Sequence, residues 1–425
     1  MSKSSLHRRD FLKVGSAGLL GMGLAQVLRL EARGGQGRKR RADNAILIWL
    51  AGGPATIDMW DPKPMAPDNI RGEFKAIETS ATGIQIGEHL PHVARVMDRC
   101  SLVRSLHHGL PVHGPGTQYV VTGNKPTPAL EFPNLGALAS KLLPEQPGVP
   151  SNIAFASIDN TGGGCLGPAY NPFMVEGGDG KARVSGISLP DGFTTGELAD
   201  RDRLMRKFDR RFQQFDADES AASLSQFQQQ ALEILRSDRV RKAFDLDLEP
   251  APVRERYGSS PLARSALTAR RLIEAGARFV TLGLGGWDTH AANFAQLRNN
   301  LLPKLDGPLA ALIDDLDERG LLETTIVYCA GEFNRTPRIN SQAGRDHWAR
   351  SMSVLLAGGP IRRGHAYGST DSQGMAPEND PCSPDDVAAT IFHCLGLEPH
   401  EQVTSSSGRP ITLFKEGNVL EGLLA

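Results

Sequence analysis

Short, continuously apolar runs alternate along this chain with longer stretches in which apolar residues recur every three or four positions. Runs at 45–50, 278–282, 325–329 and 353–356 have the length and composition of buried strands. Each leads into a glycine-containing loop, and polar or charged residues cluster just after three of them. Between them the three-to-four spacing predicts helices at 220–248, 261–275, 297–319 and 384–395, the last opened by Ser383 ahead of Pro384. Strands interleaved with helices imply an α/β fold whose mostly parallel central sheet is covered on both faces. In such sheets functional groups gather beyond the carboxyl ends of the strands. Residues 171–257 break the alternation with a glycine-rich loop and a charged, glutamine-rich stretch, which reads as a helical insertion with a solvated face.

The amino-terminal segment follows a different pattern. His7-Arg8-Arg9-Asp10-Phe11-Leu12-Lys13 precedes a mildly apolar, glycine-spotted stretch from Val14 to Leu28. That is the form of a twin-arginine export signal, and it is shorter than the roughly 20 residues a spanning helix needs. With the basic run Arg33 to Arg41 it makes residues 1–42 a signal and tether, and residues 43–425 the folded domain. The expected location is periplasmic or extracellular, with no integral membrane segment once the signal is removed.

Composition narrows the partners. A formal net charge of -1 and 6% aromatic residues offer neither the basic surface nor the stacking platforms that nucleic acid requires. The 5 cysteines are widely spaced and include no CxxC pair, so neither a zinc knuckle nor a disulfide framework is indicated.

Candidate chemistry lies where the strands end. Asp58 and Asp61 follow the first strand and Asp288 and His290 the second. Glu332 follows the third, in Gly331-Glu332-Phe333-Asn334-Arg335, and Arg345, Asp346 and His347 precede the fourth. Each alone reads as a capping or solvated residue. Together, carboxylates and imidazoles from several strand ends form the ligand set of a divalent metal, whether zinc, manganese or calcium. A second group, His107-His108 and His113 among glycines and prolines, precedes a helical run that ends at Gly123.

These motifs, in this order, resemble the DUF1501 family of exported bacterial proteins, which belongs with the alkaline phosphatases and sulfatases. The matching stretches are Gly52-Gly53-Pro54 through Pro64, His113 through Gly123, Trp287 to His290, Gly331 to Pro337, Gly344 to Trp348 and Ala357-Gly358-Gly359. The resemblance implies an alkaline phosphatase-like three-layer sandwich. It implies a metal set of Asp58 (with Asp61 the alternative), Asp288, His290, Glu332 and His347. The hydroxyl or formylglycine nucleophile of that superfamily stands ten residues before the glycine of a Thr-Gly pair. Here that position holds His113, which can act as ligand, base or nucleophile but cannot become formylglycine. Thr117, a helical turn later, faces elsewhere. Arg335 and Arg345 are placed to clamp an anion bidentately. The expected activity is hydrolysis of phosphate or sulfate esters or a related anionic group, on a small anionic or glycan substrate. The alternative is a non-catalytic protein that binds sulfated or phosphorylated glycans through a retained metal pocket.

Overall fold

The computed structural model describes residues 42–158, 161–175 and 237–425. Residues 1–41 of the expected signal and tether, and residues 176–236 of the expected insertion, lie outside the described residues. The central sheet contains β1 (Asn44–Ala51), β2 (Cys100–Leu106), β3 (Asn152–Ala154), β4 (Phe173–Met174), β5 (Phe279–Gly285), β6 (Thr325–Ala330), β7 (Met352–Ala357) and β8 (His365–Tyr367). Their order across the sheet is β8-β2-β7-β6-β1-β5-β3-β4. All neighbours run parallel except β7, which is antiparallel to both β2 and β6.

β1 shows how the layers form. Side chains alternate across a strand, and here Ile46, Ile48 and Leu50 enter one buried core while Ala45, Leu47 and Trp49 enter another. The first core is covered by helices α1 (Pro91–Val96), α4 (Pro261–Ala275) and α5 (Leu302–Glu318). The second is covered by α2 (His113–Thr122), α3 (Leu135–Leu142) and α6 (Pro384–Cys394). The result is a three-layer α/β sandwich. No helix among the described residues is long and apolar enough to cross a membrane.

The four apolar runs appear as β1, β5, β6 and β7. The patterns at 261–275 and 384–395 appear as α4 and α6, the latter closed at its start by a Ser383–Asp386 capping box. The pattern at 297–319 opens with a π-helical turn, Leu297–Leu301, before α5. Of the helix expected at 220–248, the described part forms Asp238–Phe244.

β2 escaped the apolar-run criterion because Ser101, Arg104 and Ser105 interrupt it. Their polar groups are satisfied by backbone carbonyls of Arg362, Trp60, Gln85 and Asp380, so the strand is buried nonetheless.

The loop leaving β2 is locked at His108. Its Nδ1 accepts from the Leu110 N–H at 3.2 Å, and Nε2 therefore donates to the Glu332 carbonyl at 2.8 Å. Burial pushes the His108 imidazole down to about 4, and the bond to the Glu332 carbonyl only partly opposes this. The unfolded chain therefore binds a proton that the folded one refuses between pH ~6.5 and ~4, so stability falls as pH drops through that window. The full difference is on the order of 3 kcal/mol. We expect His108→Gln, which keeps a donor toward Glu332, to flatten the decline in unfolding free energy over that range. An unchanged pH slope in denaturant titrations would show that this ring is not responsible.

Candidate metal centre

The loops at the carboxyl ends of β1, β5 and β6 meet at one edge of the sheet, and α2 starts beside them. Because β7 runs the opposite way, its entrance lies at the same edge, so His347, which precedes it, joins residues that follow the other strands. A two-residue ladder sets His347 opposite Arg335.

Three imidazoles share one arrangement. Nδ1 of His113 bonds Glu332 Oε1 at 2.6 Å, Nδ1 of His290 bonds Asp346 Oδ1 at 2.8 Å, and Nδ1 of His347 bonds the Pro111 carbonyl at 3.0 Å. Ionised carboxylates and a backbone carbonyl can only accept, so each Nδ1 donates, and a ring that gives up its other proton presents a lone pair on Nε2. All three Nε2 atoms turn inward to Asp288. His113 Nε2 lies 3.4 Å from Oδ2, His290 Nε2 3.1 Å and His347 Nε2 3.2 Å from Oδ1, and the His290 and His347 Nε2 atoms face each other at 3.1 Å. One ligand atom each from His113, Asp288 and His347 lies within 4.8 Å of the others.

This donor set fits a divalent cation. Lone-pair atoms 3.1–3.4 Å apart repel unless a positive charge, proton or metal, lies among them. Ligands 2.0–2.1 Å from a tetrahedral zinc stand about 3.3 Å apart, which these separations approximate. Outer nitrogens held by carboxylates or carbonyls are the usual way metal-binding histidines are oriented.

Asp288 is prepared for the same task. Burial pushes its carboxyl up, but the Arg335 guanidinium hydrogen-bonded to it, with His347 and His113 beside it, outweighs burial and holds it at about 2. Arg335 is fully buried and also donates to the carbonyls of Gly53 at 2.8 Å, Gly52, and Arg345 at 3.3 Å. Gly52 in turn donates its N–H to both oxygens of the Glu332 carboxylate, at 3.0 and 3.2 Å. Its φ is +117°, and a Cβ there would lie 2.5 Å from the Asp288 nitrogen, so only glycine fits.

Several expectations are corrected by this geometry. Asp58 does not join the cluster: it is buried, and its two oxygens are bound by Arg345 Nε and Nη2 at 2.8 and 2.7 Å, with Asn293 Nδ2 at 2.8 Å. Asp61 is likewise engaged, with Thr370 at 2.5 Å and Lys63 at 3.1 Å. Arg345 is not an anion clamp, because its remaining N–H groups go to carbonyls of Ile70, Thr336 and Pro337. Arg335 is spent on Asp288 and the Gly52–Gly53 turn. Glu332, 3% exposed at its side chain, backs His113 instead of facing the centre.

Sequence reasoning missed the Pro111 carbonyl, since a backbone acceptor leaves no residue-type signal. It also missed the part played by Gly52, although a Gly-Gly-Pro directly after a strand was the available cue. Asp346 was counted among the candidate donors, not as the partner that orients His290. The side chains of His113, Asp288 and His290 are 41%, 46% and 45% exposed, so the cluster opens to solvent.

Comparison with known proteins places the chain. No relative was found among curated proteins. Among solved structures it is similar to the PsFucS1 sulfatase from Pseudoalteromonas sp. (13% identity, covering 93% of this chain and 74% of that one, TM-score 0.39). It is similar to the phosphonate monoester hydrolase from Silicibacter pomeroyi (12%, 90% and 76%, TM-score 0.38). It is also similar to a mutant of TAB5 alkaline phosphatase (12%, 84% and 97%, TM-score 0.35). The family model described as "Protein of unknown function (DUF1501)" matches residues 42–424, nearly all of the folded chain, and the protein belongs to that family.

Proposed function

We propose that the protein is an exported, metal-dependent hydrolase of phosphate or sulfate esters or a related anionic group. The observation that carries this reading is the convergence of three histidine Nε2 atoms on Asp288, each ring held from behind by an acceptor. His113, Asp288, His290 and His347 would hold the cation. A divalent cation there would stabilise charge developing on the transferred group and acidify nearby water.

The chain's own residues supply the rest. Glu332 fixes the His113 ring, Asp346 fixes His290, and Arg335 keeps Asp288 ionised. The first-turn N–H groups of α2, which lack helical partners, present positive charge where an anionic ester would approach. Because the Nε2 of His113 turns in among the donors, the attacking group in this reading is water reaching the exposed side of the cluster, not a side chain.

A second reading is a binding protein that keeps the pocket without turnover. It is favoured by the imidazole at the hydroxyl position and by the engagement of both arginines.

Elemental analysis of the full-length protein as isolated is expected to find zinc or another divalent metal, lost in Asp288→Asn. Metal-free protein that takes up none on titration would sink both readings. On aryl phosphate and aryl sulfate panels, the loaded protein is expected to turn over at least one member and His113→Ala none. Binding without turnover selects the second reading.

Glu332→Gln alters only an outer partner and Gly52→Ala presses on the Asp288 backbone, and each is expected to weaken metal affinity by about 10–100-fold, the usual effect of losing an outer partner. Isothermal titration against the parent protein checks this, and wild-type affinity in both variants would show that the outer partners do not tune the site.

A further inference from the structure

The charged side chains hydrogen-bonded into the cluster, or to its immediate partners, form a short inventory. Asp288 is met by Arg335. Asp58 is met by Arg345, side-on through Nε and Nη2, in a pocket where the aspartate side chain is 1% and the arginine 0% exposed. Glu332 and Asp346 face only the rings they orient, which a bound cation would keep neutral, and backbone or amide donors. Two negative charges therefore remain, and one divalent cation balances them.

Asp58 is the carboxylate best placed after the first strand to serve a second cation, and Arg345 already holds it. Breaking that pair would leave a charge uncompensated in the interior, which is far costlier than keeping it. Asn293, itself held through its Oδ1 by Thr289 Oγ1 at 2.6 Å, closes the remaining side of the carboxylate.

We propose that Arg345 supplies, as a fixed guanidinium, the charge that a second cation would otherwise bring to Asp58, so that the centre takes a single divalent cation and favours a singly charged ester over a doubly charged one. This rests on the metal-centre reading above. The preference follows from how the opposing terms scale. Attraction to a site grows in proportion to the ligand's charge, whereas the cost of stripping its water grows as the square of that charge. Around a centre whose charges already cancel, the second negative charge of a phosphate monoester adds desolvation without matching attraction. Sulfate monoesters and phosphate diesters share the favoured chemistry: a tetrahedral group with one charge.

The test uses the full-length protein loaded with zinc and freed of excess metal. Native mass spectrometry and elemental analysis are expected to give one cation per chain, unchanged in Asp58→Asn and absent in Asp288→Asn. Two cations per chain, or loss of metal in a folded Asp58→Asn, overturns the assignment, and if that variant does not fold the wild-type count decides. No bound metal in the wild type removes the metal-centre reading itself, which separates that failure from this one. In competition binding at about pH 8, where a phosphate monoester carries close to two charges, methyl sulfate or dimethyl phosphate is expected to bind at least as tightly as methyl phosphate. Tighter binding of methyl phosphate than of both overturns the charge argument. The difference between methyl sulfate and dimethyl phosphate then identifies which singly charged group the site takes.

Discussion

The geometry of the centre depends on the peptide of Gly52. Its N–H holds the Glu332 carboxylate, and its carbonyl takes a hydrogen bond from Arg335. Glu332 sets the ring of His113 and Arg335 sets the carboxylate of Asp288, so one backbone unit fixes the outer partners of two inward-facing donors that come from different elements. The Asp288 backbone approaches Gly52 so closely that any side chain there would displace it. A rigid strand end, buried in the sheet between β5 and β6, thus carries the precision that an exposed loop alone would lack.

The opposite wall is built on the same principle. The loop carrying His290 and the loop carrying Asp346 are joined by backbone bonds from Ala292 to Gln342 and from Asn293 to Ala343, at 3.0 and 2.9 Å. Ala292 and Ala343 both sit at a φ of +50°, a conformation that side-chain-bearing residues adopt at a cost. A Cβ at Gly344 would lie 1.9 Å from the His290 carbonyl oxygen. Local backbone strain and close approach are concentrated where the ring of His290 must be aimed, which is where a folded protein can justify them.

Much of this was legible from the residues, and the failures have physical causes. Strands buried on both faces carry a dense apolar signal, so β1, β5, β6 and β7 were found. Edge strands of two or three residues such as β4 and β8 carry almost none, and their pairing depends on the neighbours already being in place. At the site, residue type and position at a strand end singled out Asp288, His290 and His347, whose inward atoms lie close together, and Glu332, which stands behind His113. The same logic named Asp58 and failed, because it counts a carboxylate as free until its partner is seen. Arg345 lies 287 residues away in sequence, and nothing local marks the two as a pair. Both arginines were assigned by charge to an anion, whereas their complete burial commits them to the protein's own acceptors.

The direction of β7 shows why the site needed the fold and not only the motifs. In an all-parallel sheet, a residue just before a strand lies at the edge opposite a residue just after one, and His347 would stand a full strand length from Asp288. Antiparallel pairing of β7 with β6 and β2 brings its entrance to the functional edge, and the His347–Arg335 ladder continues that reversal. A single reversed strand lets a donor that precedes an apolar run meet donors that follow others. The order of the motifs along the chain therefore acquires chemical meaning only through the sheet's topology.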